Sequence, residues 1–507
     1  MHLQTTNFVA KSLKSTYIQY FTGSVKKLYF VRGYCTHNRH ATSVEARCSL
    51  SFVASRCNRL FRNNFNHWFS SSTRIPRKLE YTQLPNGLRV VSYDRGGHIA
   101  NLGITVQAGS RFETNESLGC SHFLETMAFQ STFNKSSKHT ATLLDKLVAN
   151  ASCSAGRESI FYNCEVERKD VGNIFHCVSE NVTCPLFLSS EINQKINLLE
   201  KDKRNYTEDI ALQLPDHFHS TSWPNNTLGN PQYGYNTMHQ HFNIESLSKF
   251  HKKHYTLDRM VVSGININHN ELCYLALNAF SHYTNATSTS ALQKAQYKGG
   301  IFVLDKPSPL LHLLITYPTP GGLLSNEIIV LTVLQTLLGG GGSFSSGGPG
   351  KGMYSRLYQK VLCSHWVENC IAFNVQYSDD GGFGIYLIGN PSKAELIIRT
   401  IANQLRNLSF VSREELSRAK NLLKASILSN SENRMILLEN IAQRVLMNKD
   451  VLSEYELCDL VNKVTVEDVE RVGKHLICSK NPTIIALGDT FHVPPHDEIM
   501  NSLQNKI

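Results

Sequence analysis

Residues 119–132 read Gly-Cys-Ser-His-Phe-Leu-Glu-Thr-Met-Ala-Phe-Gln-Ser-Thr. His122 and Thr126 stand four apart, so they share a face of any helix built here, with Glu125 beside them at i+3. A His at 126 would complete H-x-x-E-H, in which two His hold Zn²⁺ and the Glu takes a proton from bound water. Thr126 offers only a neutral hydroxyl. A catalytic zinc takes three protein ligands of the His or carboxylate type, so the altered pattern points away from hydrolysis by this chain. The favoured reading of His122 is a helix histidine hydrogen-bonded in the interior, with Glu125 as a structural partner.

Working outward, Pro85-Asn86-Gly87 sets a turn ahead of a strand over Leu88–Tyr93. Asn101–Ala108 is a second strand and Gly109–Ser117 a polar stretch. A helix then runs from about Leu118 to Ala128, capped by Asn115 or Ser117. Beyond a Ser/Thr/Asn-rich linker, Ser281–Gly300, the order recurs. Gly300–Asp305 and Leu311–Tyr317 read as strands, Pro318–Ser325 as a turn and Asn326–Leu338 as an apolar helix. Longer helical patterns follow in each half, Ile192–Asn205 and Arg413–Met447; the second is read as core packing. Ile371–Tyr377 is a further strand and Ile485–Asp489 a closing strand and turn. The recurrence predicts two duplicated units, each a sheet covered by helices, over 79–285 and 286–507.

The second half holds LLGGGGSFSSGGPGKGMYSRL at 337–357, with eight Gly among residues 339–352. Ordering so many Gly is entropically costly, so a mobile loop is expected. A phosphate-cradling P-loop is excluded: Gly350-Lys351 would need Gly at 345 and Ser or Thr at 352, where Ser345 and Gly352 stand. A plain linker fits poorly, because an apolar helix precedes the loop and Met353–Tyr358 resumes a helical pattern.

The chain has 507 residues, 41% hydrophobic and 18% charged, which excludes global disorder. No apolar run is long enough to span a membrane. Thirteen of the 51 Lys and Arg, but only one acid, Glu45, fall in residues 1–78. The rest carries 38 bases against 40 acids, so the net +10 belongs to the N-terminal segment. That confinement excludes a uniform nucleic-acid-binding surface. A basic, Ser-rich, acid-poor segment reads as a mitochondrial transit peptide, or more blandly as a basic disordered tail. Thirteen Cys, without CxxC pairs, fit neither a disulfide scaffold nor a Cys-based zinc site. Cys120, Cys153 and Cys164 are expected as reduced core thiols. His217, His219, His239 and His241 form a loose cluster read as a polar loop ahead of a metal site.

The stretch 119–132 resembles the motif helix of the pitrilysin and insulinase-type metallopeptidases, and within that clan the mitochondrial processing peptidase subunits. The resemblance runs from about Leu79 to the C-terminus. It implies an α+β fold of two duplicated domains, each a mostly antiparallel sheet covered by helices. At the family's spacing the third ligand, a Glu, falls on Asp202, with Glu200 two residues out of register. The degenerate set is then His122, Glu125, Thr126 and Asp202, with no catalytic or metal-binding role expected.

The glycine-rich stretch resembles the loop of the α-subunits of that family, which handles presequences over a cavity shared with the catalytic β-subunit. That resemblance implies substrate-binding positions Gly339, Gly340, Gly341, Gly342, Ser343, Phe344, Gly347, Gly348, Pro349, Gly350, Lys351 and Gly352. It implies a non-catalytic recognition subunit in the mitochondrial matrix, a heterodimer with a zinc-bearing β-subunit, and no cofactor of its own. Its substrates would be basic, amphipathic presequences. Asp379 and Asp380 are candidates to pair with presequence arginines, or else an exposed turn; Phe344 and Met353 are candidates for the apolar face. The rival reading is a structural core subunit of the inner-membrane respiratory bc1 complex, which shares the fold.

Overall fold

The computed structural model describes residues 79–504 except 225–226, 237–240, 282, 284–292, 323, 343–351, 449–451 and 479–480. The basic segment 1–78 and most of the Ser281–Gly300 linker lie outside the described residues.

Twelve described strands form two sheets of six. The first half supplies β1 (Leu79–Gln83), β2 (Arg89–Tyr93), β3 (Ile99–Val106), β4 (Asn150–Ala155), β5 (Ile160–Glu167) and β6 (Met260–Ile265). The second supplies β7 (Gly300–Asp305), β8 (Leu311–Pro320), β9 (Gly340–Gly342), β10 (Val367–Gln376), β11 (Asp380–Gly389) and β12 (Thr483–Gly488). The orders are β1-β2-β6-β3-β5-β4 and β7-β12-β8-β11-β10-β9. Aligned, β2-β6-β3-β5-β4 matches β7-β12-β8-β11-β10. In both, the first pair is parallel and the others antiparallel. The duplication is therefore one of topology as well as of pattern. The sheets differ at their ends, where β1 extends one and the glycine strand β9 extends the other.

Each sheet has two covered faces. Outer-face residues such as Leu102, Ile104 and Tyr162 pack with the first half's own helices. Leu313, Ile315, Ile385 and Ile484 do the same in the second half with helices that include Asn326–Leu338 and Ala394–Arg406.

The remaining faces are covered by exchange. Helix Arg434–Asn448, late in the chain, lays Leu437, Leu438, Ile441, Val445 and Leu446 on Val91, Phe161, Val261 and Ile265 of the first sheet. Helix Ile210–Ser222, early in the chain, lays Leu214 and Phe218 on Leu314, Tyr386, Ile485 and Leu487 of the second. Each buried apolar side chain of this size contributes about 2 kcal/mol before ordering costs. The exchanged helices therefore fasten the halves more firmly than a single surface ion pair, worth about 1 kcal/mol or less.

The expected long helix Arg413–Met447 is two helices. Arg413–Glu432 starts in a capping box, Ser412 with Glu415, and ends at Asn433, whose ψ of 111° is not helical. That break lets the second segment cross to the other sheet. Among the described residues no helix is long and apolar enough to cross a membrane.

Candidate functional site

The motif helix is shorter than its sequence pattern, Cys120–Thr126, and neither expected residue caps it. Gly119 takes the cap position at φ 85°, where an added Cβ would meet Gly234 Cα at 2.8 Å. Glu113 accepts hydrogen bonds from Gly119 N–H (2.7 Å), Ser121 N–H (2.8 Å) and Ser121 Oγ (2.5 Å). A carboxylate at a helix N-terminus is favourable. Glu113 is nevertheless buried, and burial pushes its carboxyl up to about 7, against the pull of those donors and of His122. Ser117 instead closes a local turn with Thr114. Sequence reasoning missed Glu113 because its role depends on a loop folding back.

On the helix, His122 Nδ1 lies 3.3 Å from Glu125 Oε2, and its ring meets Tyr233 and Tyr235 edge-on at 5.0 and 5.9 Å. His122 Nε2 is buried without a hydrogen-bond partner among the described residues. Thr126 Oγ1 donates to the carbonyls of His122 (3.1 Å) and Phe123 (3.0 Å), so its hydroxyl proton is spent inside the helix. Asp202 is exposed on helix Ser189–Glu208. Burial first, then the charges of Asp202 and Glu125, push the Tyr235 phenol up, so the fold brings His122, Glu125 and Asp202 into one neighbourhood. Tyr206 meets Tyr233 edge-on at 5.6 Å and Tyr235 at a tilt at 5.3 Å, and donates to Asp216 (2.9 Å), which pairs with Arg157 at 2.6 Å. Among the described residues no group of three or more His, Cys, Asp and Glu is arranged to hold a metal ion.

Asp379 and Asp380 are neither free acids nor an exposed turn. Asp379 is gripped by both terminal nitrogens of Arg111, one at 2.7 Å, and accepts from Ala295 N–H at 2.9 Å. Asp380 accepts from Trp223 Nε1 at 2.9 Å. Both carboxylates tie the halves together. Arg111 also donates to Glu158 (2.6 Å), and Glu158 accepts from Ser378 N–H and Oγ (3.0 and 2.6 Å). The β4–β5 turn thus meets its counterpart, the β10–β11 turn, tip to tip.

Among the described residues, the histidines of the expected cluster form no metal-holding group. His219 is buried between Pro215 O and Tyr377 Oη (2.5 and 2.6 Å), and burial pulls its pKa well down. His217 stacks on Phe302 at 4.3 Å, and the His241 carbonyl faces Cys120. His239 lies outside the described residues. Cys120, Cys153 and Cys164 are free and buried as expected; burial raises the Cys164 thiol to about 12.

The glycine-rich stretch is fixed at both feet. Gly339 ends helix Asn326–Leu338 at φ 62°, where a Cβ would strike Ser355 at 2.4 Å. Gly340, Gly341 and Gly342 then pair with Ile371, Cys370 and Asn369 as β9. At the far foot Gly352 O accepts Ser355 N–H (2.9 Å). Arg356 next forks to Glu415 (2.9 and 3.0 Å) and reaches the carbonyls of Asn407 and Phe410 (2.7 and 2.6 Å). Met353 and Tyr354 beside this foot are 36% and 67% exposed. The expected binding positions Ser343, Phe344, Gly347, Gly348, Pro349, Gly350 and Lys351 lie outside the described residues.

Residues 89–235 match the family model described as insulinase (peptidase family M16). Residues 241–423 match the model described as the peptidase M16 inactive domain. Among curated relatives, the probable mitochondrial-processing peptidase subunit alpha-1 of Arabidopsis thaliana is 32% identical, over 85% of each chain. The subunit alpha of Homo sapiens is 30% identical over 84% of this chain and 85% of its own. The probable subunit alpha of Schizosaccharomyces pombe is 32% identical over 86% and 91%. With two M16 modules and this likeness along most of its length, the chain belongs to the family of mitochondrial-processing peptidase alpha subunits.

Proposed function

We propose that this chain is the non-catalytic, presequence-recognising subunit of a mitochondrial processing peptidase. It acts with a β-subunit that carries the zinc and cuts the precursor. One observation carries the non-catalytic half of this reading. Where the inverted motif needs a second His, Thr126 stands with its hydroxyl proton committed to carbonyls of its own helix. His122 is engaged with Glu125 and Asp202 is exposed, so two side chains and a spent hydroxyl take the place of a three-ligand set. These residues do not fit a zinc centre, and no step is assigned to zinc in this chain.

The recognition half rests on the glycine stretch, whose feet are anchored on β10 and on helix Arg413–Glu432. With eight glycines among residues 339–352, the stretch offers few side chains that would demand one matched presequence sequence. The relatives' names support a mitochondrial location, and residues 1–78 would serve as the transit peptide. The matrix is the compartment where imported precursors emerge.

The test is to produce the chain alone, the β-subunit alone and the two together, and to assay presequence cleavage and bound zinc. Cleavage only by the pair, with zinc only on the β-subunit, is expected. Removal of 339–352 should then weaken the pair. Cleavage by this chain alone with stoichiometric zinc would overturn the reading. Failure to assemble, with co-purification of cytochrome b or c1, would move it to the structural role in the bc1 complex.

A further inference from the structure

We propose that Arg111 is a positioning residue that couples the motif-helix region of the first half to the glycine-rich stretch of the second. This inference rests on the function proposed above. Its basis is one short segment, Gly109–Glu113, that reaches in two directions. Toward its own half, Glu113 holds the first turn of Cys120–Thr126 through Gly119 and Ser121. Toward the other half, Arg111 grips Asp379, and with Glu158 it holds Ser378. Ser378 and Asp379 join β10 to β11, and β10 is the strand on which the glycine foot β9 is laid. Contacts therefore run from the motif helix through Glu113 and Arg111 to the C-terminal end of β10, and the strand itself carries the link to its other end, Asn369–Ile371, where Gly340–Gly342 are paired.

The geometry at the Arg111 junction is rigid. The Arg111 side chain is 1% exposed and makes its fork from both terminal nitrogens. A guanidinium bound this way fixes angle as well as distance. Gly109 leaves no slack behind it, since a Cβ there would strike Arg157 O at 2.2 Å. In the second half a Cβ on Gly321 would strike Asp379 at 2.1 Å, so both equivalent tips are backed by close backbone approach. A shift at this point would tilt the sheet that carries the loop's foot relative to the motif helix. Presequence binding shared between the two would weaken, with the partner's chemistry left intact.

The test uses the full chain assembled with its β-subunit and a presequence peptide. Arg111→Gln, Arg111→Lys and Ser378→Ala are each made in the intact chain and in one lacking 339–352. In the intact chain, Arg111→Gln should raise KM about tenfold with kcat within about twofold. Arg111→Lys should recover only part of this, because an ammonium cannot make the fork. Ser378→Ala, which keeps the Arg111–Asp379 fork, should raise KM about threefold and covers the case where the arginine variants fail to assemble. In the shortened chain the same substitutions should change KM by less than about twofold, since the far end of the path is already gone. Equal effects in both chains, or a fall in kcat and complex yield with KM unchanged, would reduce Arg111 to a structural residue. An unsubstituted pair that cannot cleave the peptide would instead fail the function proposed above.

Discussion

The first and second sheets share five strands in one order and hand, yet each is finished differently. The first ends in β1, an ordinary strand in a hairpin at Gly87. The second ends in β9, three glycines held against Asn369–Ile371. The first carries a seven-residue motif helix capped by a buried carboxylate; the second carries a thirteen-residue apolar helix that runs straight into the glycine stretch. A duplicated scaffold here keeps its centre and is specialised at its margins, where new backbone or an altered side chain does not disturb the packed middle.

If the shared centre is held by exchanged helices, the largest effect should come from Trp223. It is fully buried at the end of helix Ile210–Ser222, among Phe218, Tyr297 and Tyr377, and its indole N–H donates to Asp380. Trp223→Ala should cost about 3–5 kcal/mol, and calorimetry should show both halves melting earlier together. A loss confined to one half would break the comparison.

The buried carboxyl of Glu113 gives a pH test of the first half alone. Its folded pKa of about 7 lies above the unfolded value of about 4.5. Its contribution is therefore full below pH 4.5 and is lost as pH rises through 7, by up to about 3 kcal/mol. Glu113→Gln should flatten the decline of stability between those limits. Burial also raises Glu158 and Glu439, so some slope should remain.

At the margin of the second sheet, Gly340→Ala places a Cβ 2.0 Å from Cys370 O at φ 115°, whereas at Gly341 no atom lies within 4 Å. The first should cost about 2 kcal/mol or more and release β9, the second about 1 kcal/mol of backbone strain. Hydrogen exchange at Cys370 and Ile371 would separate them. The smallest effect is expected at the motif. Thr126→His removes only local helix bonds, so stability should change by about 1 kcal/mol or less, and the isolated chain should remain inactive on presequences.

Much of the scaffold was legible. Pro85-Asn86-Gly87 announced β2, and the limits of β7 and of helix Asn326–Leu338 matched the sequence reading. Other strands were hidden by composition. β4 is Asn-Ala-Ser-Cys-Ser-Ala, with little β-branching, and β11 opens Asp-Gly-Gly-Phe-Gly like a loop. Its glycines answer to neighbours, since a Cβ on Gly384 would sit 2.1 Å from Ile315 O. At the candidate site, His122, Glu125 and Thr126 were readable because they are local. Arg111 and Glu158 were not, because their partners in the second half lie 268 and 220 residues away, and Glu113 was not, because it meets Gly119 and Ser121 only once its loop folds back. Asp379 was misread for the same reason: the charge of an acid is visible in sequence, but the arginine that neutralises it is not.

The exchanged helices also change what a backbone cut would mean. A protease that severed the chain between 284 and 292 would yield two fragments, each keeping a helix clasped by the other's sheet. The nick would register on a denaturing gel and leave the native particle the same size. By the same logic the two fragments, made as separate polypeptides, should find each other and rebuild the fold, so that the linker sets the rate of assembly more than its final stability.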